Sequence, residues 1–373
     1  MNTYRVVGLM SGSSLDGLDI ACCEFSEENN QWAYKIIATD VVPFTADWIE
    51  KLKALPTASG VMLWEAHAQL GTYFGKQVKA FIEKNALTGK VDLVASHGHT
   101  IFHFPVKQFT TQIGDGAAIA AQSHLPVACD FRTADIAQGG QGTPIVPIGD
   151  NLMFTDYRFC LNVGGIANIS CKTTSPNLSE GEERKNIVAF DICAANQVLN
   201  YLAGTLGKEY DAGGEIAAKG NISGELLQKL NALAYFGANY PKSLDNSFSR
   251  DVVLPVIEAA QISVEDKLRT FTEHIAGQIA KHIEMIAHKE KLTFTAKEKM
   301  LVTGGGAFNT FLIKRIKAQA KIDVVVPDEN LVKFKEAIVI ALMGALRLRN
   351  QVNVLKTVTG AAKDTVGGAI YTV

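Results

Sequence analysis

Two α/β lobes with a cleft between them are the fold this sequence predicts, on three observations. The chain has 373 residues, more than one core usually holds, which favours two lobes. A pattern repeats: strand-like runs at Tyr4–Met10, Leu18–Phe25 and Tyr34–Val42 form a meander whose first turn, Ser11–Ser14, is rich in Gly and Ser. Arg158–Val163, Ile166–Cys171 and Ile187–Phe190 form a second meander, with its own turn at Gly164-Gly165, roughly 155 residues later. Each meander is followed by mixed helices and strands, the signature of a sheet covered by helices. The expected lobes are 1–130 and 131–373, with room for the C-terminal helix to pack back on the first.

The remaining elements follow from periodicity. Ala46–Leu55 and Met62–Lys84 read as helices, the second with Leu63, Ala66, Leu70, Phe74, Val78 and Phe81 at helical spacing. Asp92–Ala95 is a short strand, Gly116–Gln122 a helix and Pro126–Cys129 another strand. In the second half, Thr173–Asn186 reads as a polar hairpin tip. Helices are expected at Ala195–Leu206, Ser223–Ala234 and Ser263–His288; the last carries Phe271, Ile275, Ile279, Ile283 and Ile286 on one face. A strand at Lys299–Val302, a turn at Gly304–Gly306 and a helix from Asn309 come next. A strand at Val324–Val326 and a helix at Lys335–Arg349 end the pattern.

Composition narrows the function. The net charge is −2, from 36 Lys and Arg against 38 Asp and Glu, so no basic excess points to nucleic acid or an anionic membrane. The six cysteines form no CxxC pair and lie mostly in apolar runs, where cysteine acts as a small hydrophobe. The first residues lack the charged start and long apolar core of a signal peptide. Ala337–Leu346 is too short for a bilayer, which needs roughly 20 residues. A reducing cytoplasm is the expected compartment.

Three glycine turns carry chemistry. Gly8-Leu-Met-Ser-Gly-Ser-Ser-Leu-Asp-Gly-Leu-Asp19 places free backbone N–H groups and the hydroxyls of Ser11, Ser13 and Ser14 in a tight turn suited to an anion. Asp16 and Asp19 could hold Mg²⁺, directly or through water; a plain Gly/Ser hairpin is the plainer account. Asn162-Val-Gly-Gly-Ile-Ala-Asn168 occupies the equivalent turn, and Val302-Thr-Gly-Gly-Gly-Ala-Phe-Asn309 is a strand-to-helix turn where glycines let a nucleotide approach the backbone. Together they match the nucleotide-binding plan of the actin/hexokinase-type (ribonuclease H-like) superfamily. No Walker motif and no GxGxxG after the first strand are present.

Polar clusters without a core role come next: Ser96-His-Gly-His-Thr100, His103, Gln112-Ile-Gly-Asp115, and Asp130-Phe-Arg132 through Gly139–Gly142. The spacing of His97, His99 and His103 fits no zinc pattern; hydrogen bonding to a polyhydroxylated ligand suits them better. Asp191, at the end of the third strand of the second meander, suits a general base and equally an N-cap for the helix from Ala195. Glu336, opening the last helix, could be a site residue or a dipole partner.

These motifs make the chain resemble the anhydro-N-acetylmuramic acid kinases. It matches GxMSGTSxDGxD (Gly8–Asp19, with Ser13 for Thr), SHGxTxxHxP (Ser96–Pro105), QxGD (Gln112–Asp115) and DFRxxDxAxGGQGxPxVP (Asp130–Pro147). It also matches NxGGIAN (Asn162–Asn168), YDxxGxxAxxG (Tyr210–Gly220), GGGAxN (Gly304–Asn309) and the pair Glu336-Ala337. The resemblance implies a kinase in which ATP, with Mg²⁺, phosphorylates an amino sugar while water opens its 1,6-anhydro bridge, in cell-wall recycling. It implies Asp191 as base, with Arg132 and Glu336 near the reacting groups. Gly12, Ser13, Ser14, Leu15, Asp16, Gly17, Leu18 and Asp19 would meet the nucleotide, with Gly164, Gly165, Gly304, Gly305, Gly306 and Asn309. His97, His103, Gln112, Asp115, Arg132 and Asn168 would bind the sugar. The expected partners are the sugar and ATP, with a homodimer allowed and neither nucleic acid nor membrane. Two segments depart from the family: Phe190-Asp-Ile-Cys-Ala-Ala-Asn196 stands for FDxGPxN, and Lys242-Ser-Leu-Asp-Asn-Ser247 for KSTGRE. A kinase of another amino sugar, or a nucleotide-binding regulatory protein with weakened catalysis, stays open on these departures.

Overall fold

The computed structural model describes residues 2–12, 14–28, 31–173, 187–245 and 247–373. The chain divides into two compact units, Met1–Phe154 with Phe334–Val373, and Thr155–Lys333. The first unit therefore runs beyond residue 130, where the sequence suggested a boundary, and includes the C-terminal segment.

In the first unit, β1 (Asn2–Ser11), β2 (Gly17–Glu28) and β3 (Gln31–Pro43) form the expected meander, followed by α1 (Ala46–Ala54) and α2 (Gly60–Lys84). The hydroxyls of Thr45 and Ser59 cap these helices, accepting from the N–H groups of Trp48 and Met62. Then come β4 (Leu93–Phe104), β5 (Phe109–Ile113), α3 (Gly116–Ser123), β6 (Val127–Cys129), α4 (Thr133–Ala137) and α5 (Pro147–Leu152). The sheet order is β12-β6-β4-β1-β2-β3, with β5 paired to β4 and β12 (Ala369–Tyr371) closing one edge. β1, β4 and β6 run parallel. β2 is buried along most of its length, whereas β3 at the edge is mostly exposed or half-buried. On one face Val7, Leu9 and Ile20 pack with Leu70, Phe74 and Val78 of α2 and Ile119 of α3.

β4 is longer than the sequence suggested. It continues through Ser96–Phe104 and turns into β5, pairing His99 with Ile113 and His103 with Thr110. Ser96–Thr100 are polar or glycine, so the apolar run breaks at Ala95 although the strand continues through Ile101, Phe102 and Phe104.

The second unit repeats the plan. β7 (Phe159–Val163), β8 (Ile166–Lys172) and β9 (Ile187–Ala194) form the meander. α6 (Asn196–Gly204), α7 (Glu215–Lys219), α8 (Gly224–Asn231), α9 (Leu254–Glu258) and α10 (Val264–Lys289) follow. Then come β10 (Lys299–Thr303), α11 (Thr310–Ala320) and β11 (Asp323–Val325). The order β11-β10-β7-β8-β9, with β7 parallel to β10, matches β6-β4-β1-β2-β3 strand for strand. Phe271, Ile275 and Ile279 of α10 fill the core against Leu161, Ile169 and Ile192. The expected hairpin tip at Thr173–Asn186 lies, from residue 174, outside the described residues.

α12 (Glu329–Leu348) is followed by the single turn α13 (Lys356–Thr359). α12 begins earlier than expected, so Glu336 lies inside it rather than at its start. Within the first unit α12 lies directly on β1. A methyl group on Gly8 would overlap the Ala337 carbonyl and come within 2.9 Å of the Ala341 nitrogen. Among the described residues no helix is long and apolar enough to cross a membrane.

This contact is testable. Gly8→Ala must displace helix backbone, which a flexible side chain cannot absorb, at about 1–3 kcal/mol. We expect a thermal midpoint lowered by roughly 2–4 °C per kcal/mol in differential scanning fluorimetry; an unchanged midpoint would mean that α12 shifts freely.

Candidate active site

In the first unit the β1–β2 connection forms a tight loop. The Leu15 N–H donates to the Gly12 carbonyl at 3.4 Å. Leu15 itself is left-handed, with φ 60°, a conformation that costs a bulky side chain and recurs at functional sites. The Ser14 hydroxyl donates to Asp16 Oδ1 at 2.7 Å. Gly17 and Leu18 open β2, and the Leu18 side chain is buried in the core, which leaves only its backbone for a ligand. Ser13 lies outside the described residues. Asp19, opposite Met10 across the hairpin, has its carboxyl pushed up to about 7, first by burial and then by the negative charges of Asp16 and Glu336.

Arg132 enters the same electrostatic neighbourhood. It follows Asp130, which is left-handed at φ 61° and accepts from the Thr133 hydroxyl. Asp135, fully buried, anchors the adjoining loop: it accepts from the Gly142 N–H at 2.8 Å and the Thr359 hydroxyl at 2.7 Å. The Arg132 Nε has no hydrogen-bond partner among the described residues. Burial lowers the guanidinium to about 10, opposed by the Glu336 charge, so it stays cationic at neutral pH. Burial raises Glu336, while Lys335 and Arg132 pull it down; Lys335 in turn pairs with Asp150 at 2.7 Å.

The histidines of β4 are neutral. Burial takes His97 down to about 3, and its Nδ1 lies 3.0 Å from the Gly98 carbonyl. A carbonyl only accepts, so Nδ1 carries the proton and Nε2 is left as an acceptor without a partner among the described residues. His99 Nδ1 pairs with the Ser11 hydroxyl at 2.9 Å, and His103 Nδ1 with the Thr110 hydroxyl at 3.2 Å. Gln112 donates to Thr110 and Thr100. Asp115 is the N-cap of α3, its Oδ1 accepting from the N–H groups of Ala117 and Ala118. A cavity of about 500 Å³ brings His97 and Gln112 together with Trp64, His67, Phe102 and Tyr371. Aromatic walls with a few convergent polar groups suit a sugar-sized ligand.

In the second unit the register aligns a polar row across the sheet. Thr303 pairs with Asn162, Asn162 with Asn168, and Asn168 with Asp191, so all four share one face. The Gly304–Gly306 turn closes on the Asn162–Gly165 turn: Gly304 sits at φ 80°, and a methyl there would overlap Asn162 Oδ1. The Asn196 amide donates to the Val163 carbonyl at 3.1 Å. These turns border a cavity of about 450 Å³ lined by Asn196, Tyr210, Gly305, Phe308, Asn309 and Lys333 among others. Asn309 also caps α11, its Oδ1 accepting from Leu312 N–H at 2.9 Å. Tyr210, Phe308 and Lys333 were not expected as site residues; the available signal was the place of Tyr210 in the Tyr210–Gly220 motif and of Phe308 in the Gly304–Asn309 motif, and no motif holds Lys333.

Asp191 lies inside β9, not at its end, and does not cap α6, whose N-cap Ala195 makes no side-chain cap. Its Oδ2 accepts from the Leu244 N–H at 2.8 Å. Burial raises the carboxyl to about 6, and that hydrogen bond opposes the rise. The group is a half-buried carboxylate mostly ionised at neutral pH, poised to take a proton.

No group of three or more His, Cys, Asp or Glu side chains among the described residues could enclose a metal ion. The cluster of Asp16, Asp19 and Glu336 still fits a cation that arrives on a nucleotide, because Mg²⁺ keeps several waters and phosphate oxygens as ligands and needs only one or two carboxylates.

A family model described as anhydro-N-acetylmuramic acid kinase matches residues 4–373. The anhydro-N-acetylmuramic acid kinase of Francisella tularensis subsp. novicida is 32% identical over 99% of this chain and 99% of its own length. That of Photobacterium profundum is 32% identical over 100% and 99%. Among solved structures, (R)-2-hydroxyglutaryl-CoA dehydratase component A of Acidaminococcus fermentans has a TM-score of 0.44 and 12% identity, covering 91% of this chain and 96% of that one.

The raised Asp19 carboxyl has a consequence for stability. A carboxyl with a raised folded-state pKa lends stability below its unfolded value, near 4, and loses it as pH rises through about 7. Asp19→Asn should therefore raise the thermal midpoint of ligand-free protein at pH 8, with the difference closing by pH 4.5. A variant less stable than wild type at pH 8 would show that Asp19 is structural.

Proposed function

Since the chain belongs to the anhydro-N-acetylmuramic acid kinase family, we propose that it uses ATP and water to convert 1,6-anhydro-N-acetylmuramic acid to N-acetylmuramic acid 6-phosphate, in the cytoplasm, during peptidoglycan recycling. Water attacks C1, the C1–O6 bond breaks, and O6 takes the γ-phosphoryl group of ATP, leaving ADP. The proton lost by water goes to Asp191. The single observation that carries this reading is the Asp191 carboxylate, raised to about 6 and aimed by the Leu244 N–H. A base needs a pKa near the working pH and a fixed direction, and this group has both.

The other residues take roles consistent with their surroundings. Arg132, cationic with a buried Nε that has no partner among the described residues, would bind an anionic group of the substrate or the phosphoryl group in transit. His97, neutral with a bare Nε2, would accept from a sugar hydroxyl or amide. Asn168, next to Asp191 in the row, would orient the sugar or the water. The Gly12–Asp19 loop would meet the phosphates, and the cavity at Asn196, Tyr210 and Phe308 the nucleoside. Asp16 and Asp19 would hold Mg²⁺, which neutralises phosphate charge in phosphoryl transfer.

Purified protein with Mg-ATP and a panel of anhydro and free amino sugars tests the reading. We expect ADP and one sugar phosphate from the anhydro sugar, and in H₂¹⁸O a single label on the C1 hydroxyl. Label in phosphate instead would mean that water attacks phosphorus. Asp191→Asn should keep ATP affinity while turnover falls by roughly 10²-fold or more; near-normal turnover would remove Asp191 from the role of base.

A further inference from the structure

Asp191 is held through its backbone as well as its carboxylate, and both sets of contacts come from one stretch of chain. Its N–H donates to the Lys242 carbonyl at 3.3 Å, and Oδ2 accepts from the Leu244 N–H at 2.8 Å. Its own carbonyl accepts from the Tyr235 hydroxyl at 2.6 Å. Nothing in regular secondary structure fixes residues 242–245, so something else must keep them beside β9.

That something is the Lys242 side chain, which turns inward. Its Nζ donates to the Tyr235 carbonyl at 3.2 Å and to His282 Nε2 at 2.9 Å. His282 Nδ1 donates to the Gln278 carbonyl at 2.7 Å, which leaves Nε2 free to accept. The same ammonium lies 4.5 Å from the centre of the Tyr235 ring and 5.9 Å from that of Phe190, at cation–π range. Phe190 precedes Asp191 and stacks on Tyr240 at 4.8 Å. Lys242 thus ties its own segment to α10, to the Tyr235 turn and to the residue before the base.

We propose that Lys242 and Tyr235 are positioning residues for the Asp191 carboxylate, and that turnover depends on the charge of the Lys242 ammonium. The proposal rests on the reading of Asp191 as the base. Charged and titratable groups face Lys242 from three sides: Asp191 and Cys193 from β9, Lys281 and His282 from α10, and Tyr235 from its turn. Burial, then the Lys281 charge, lowers Lys242 to about 8, with Cys193 opposing. Burial takes His282 down to about 4 and keeps it neutral. Burial pushes the Cys193 thiol and the Tyr235 hydroxyl far up, so both stay protonated. Lys242 is therefore the member of this group whose charge changes just above neutral pH.

The test compares four variants with wild type, measuring kcat from pH 5.5 to 9.5 and MgATP affinity at each pH. Small misplacement of a reacting group costs up to about 10²-fold; we expect Lys242→Met to lose about tenfold in kcat at pH 7 with MgATP affinity unchanged. The wild-type kcat should fall above pH 8, and that limb should vanish in Lys242→Met. Tyr235→Phe should lower kcat and keep the limb, because the ring that meets the ammonium remains. If Lys242→Met loses nucleotide binding altogether, Lys242→Arg decides: its charge persists, so its kcat should stay level to pH 9.5. Wild-type kcat in Lys242→Met, or a wild-type alkaline limb in either Lys242 variant, overturns the proposal. Asp191→Asn separates the two readings. If it is nearly inactive while Lys242→Met and Tyr235→Phe are normal, only the positioning role falls; if it is active, the base assignment falls as well.

Discussion

Helix α12 can lie against β1 and β4 only because a glycine stands at each close approach. Gly8 leaves room for the Ala337 carbonyl, and Gly344 for Ala95 and Leu93. Interiors pack as densely as crystals, so this approach has no slack. It sets where Glu336 falls, one residue before the contact. It thereby sets the field felt by Asp19 and Arg132, the two groups on which Glu336 acts. The electrostatics of the first unit are tied to a backbone contact that involves no titratable side chain.

The charges gathered there work against the fold. Asp16 and Glu336 both repel Asp19, and burial of Asp19 and Glu336 deepens the cost. Leu15 adds a left-handed bulky residue in the same loop. Arg132 offsets part of this, yet its Nε is left without a partner among the described residues. Strain, like charge and a donor without a partner among the described residues meet in one place; each costs stability, and such features cluster at functional sites. Asp135, by contrast, is fully buried, accepts from an N–H and a hydroxyl, and serves only to hold its loop.

Much of this was legible in the sequence, and the losses have physical causes. Both meanders, their glycine turns and the long α10 announced themselves through period, because one face of each is apolar. The second half of β4 did not: residues 96–100 are histidine, glycine and hydroxyl side chains in a stretch paired with β1 and β5, so the apolar run breaks off before Ile101 and Phe102 resume it. The cap that Asp115 makes on α3 was not foreseen, since a ligand-binding carboxylate and an N-cap both put a short acid before a helix. Asp191 looked like a strand end because the apolar run weakens there, while β9 continues to Ala194. The Leu244 contact was invisible in principle: a backbone N–H has no letter in the sequence.

That last point bears on the two departures from the family pattern. In Phe190–Asn196, the residues standing for glycine and proline are Cys193 and Ala194, and both are buried in the core of the second unit, away from solvent. Asn196, which keeps its identity, is the member of the segment that lines the cavity. In Lys242–Ser247 the replaced side chains do not carry the contact to Asp191; the main chain does, through residues 242 and 244. A main-chain donor tolerates exchange of its own side chain as long as the segment stays in place. Lys242, whose side chain anchors that segment, is retained with Ser243, while residues 244–247 differ. The altered letters fall where packing or a main-chain contact can absorb them, and the carboxylate they surround keeps its surroundings.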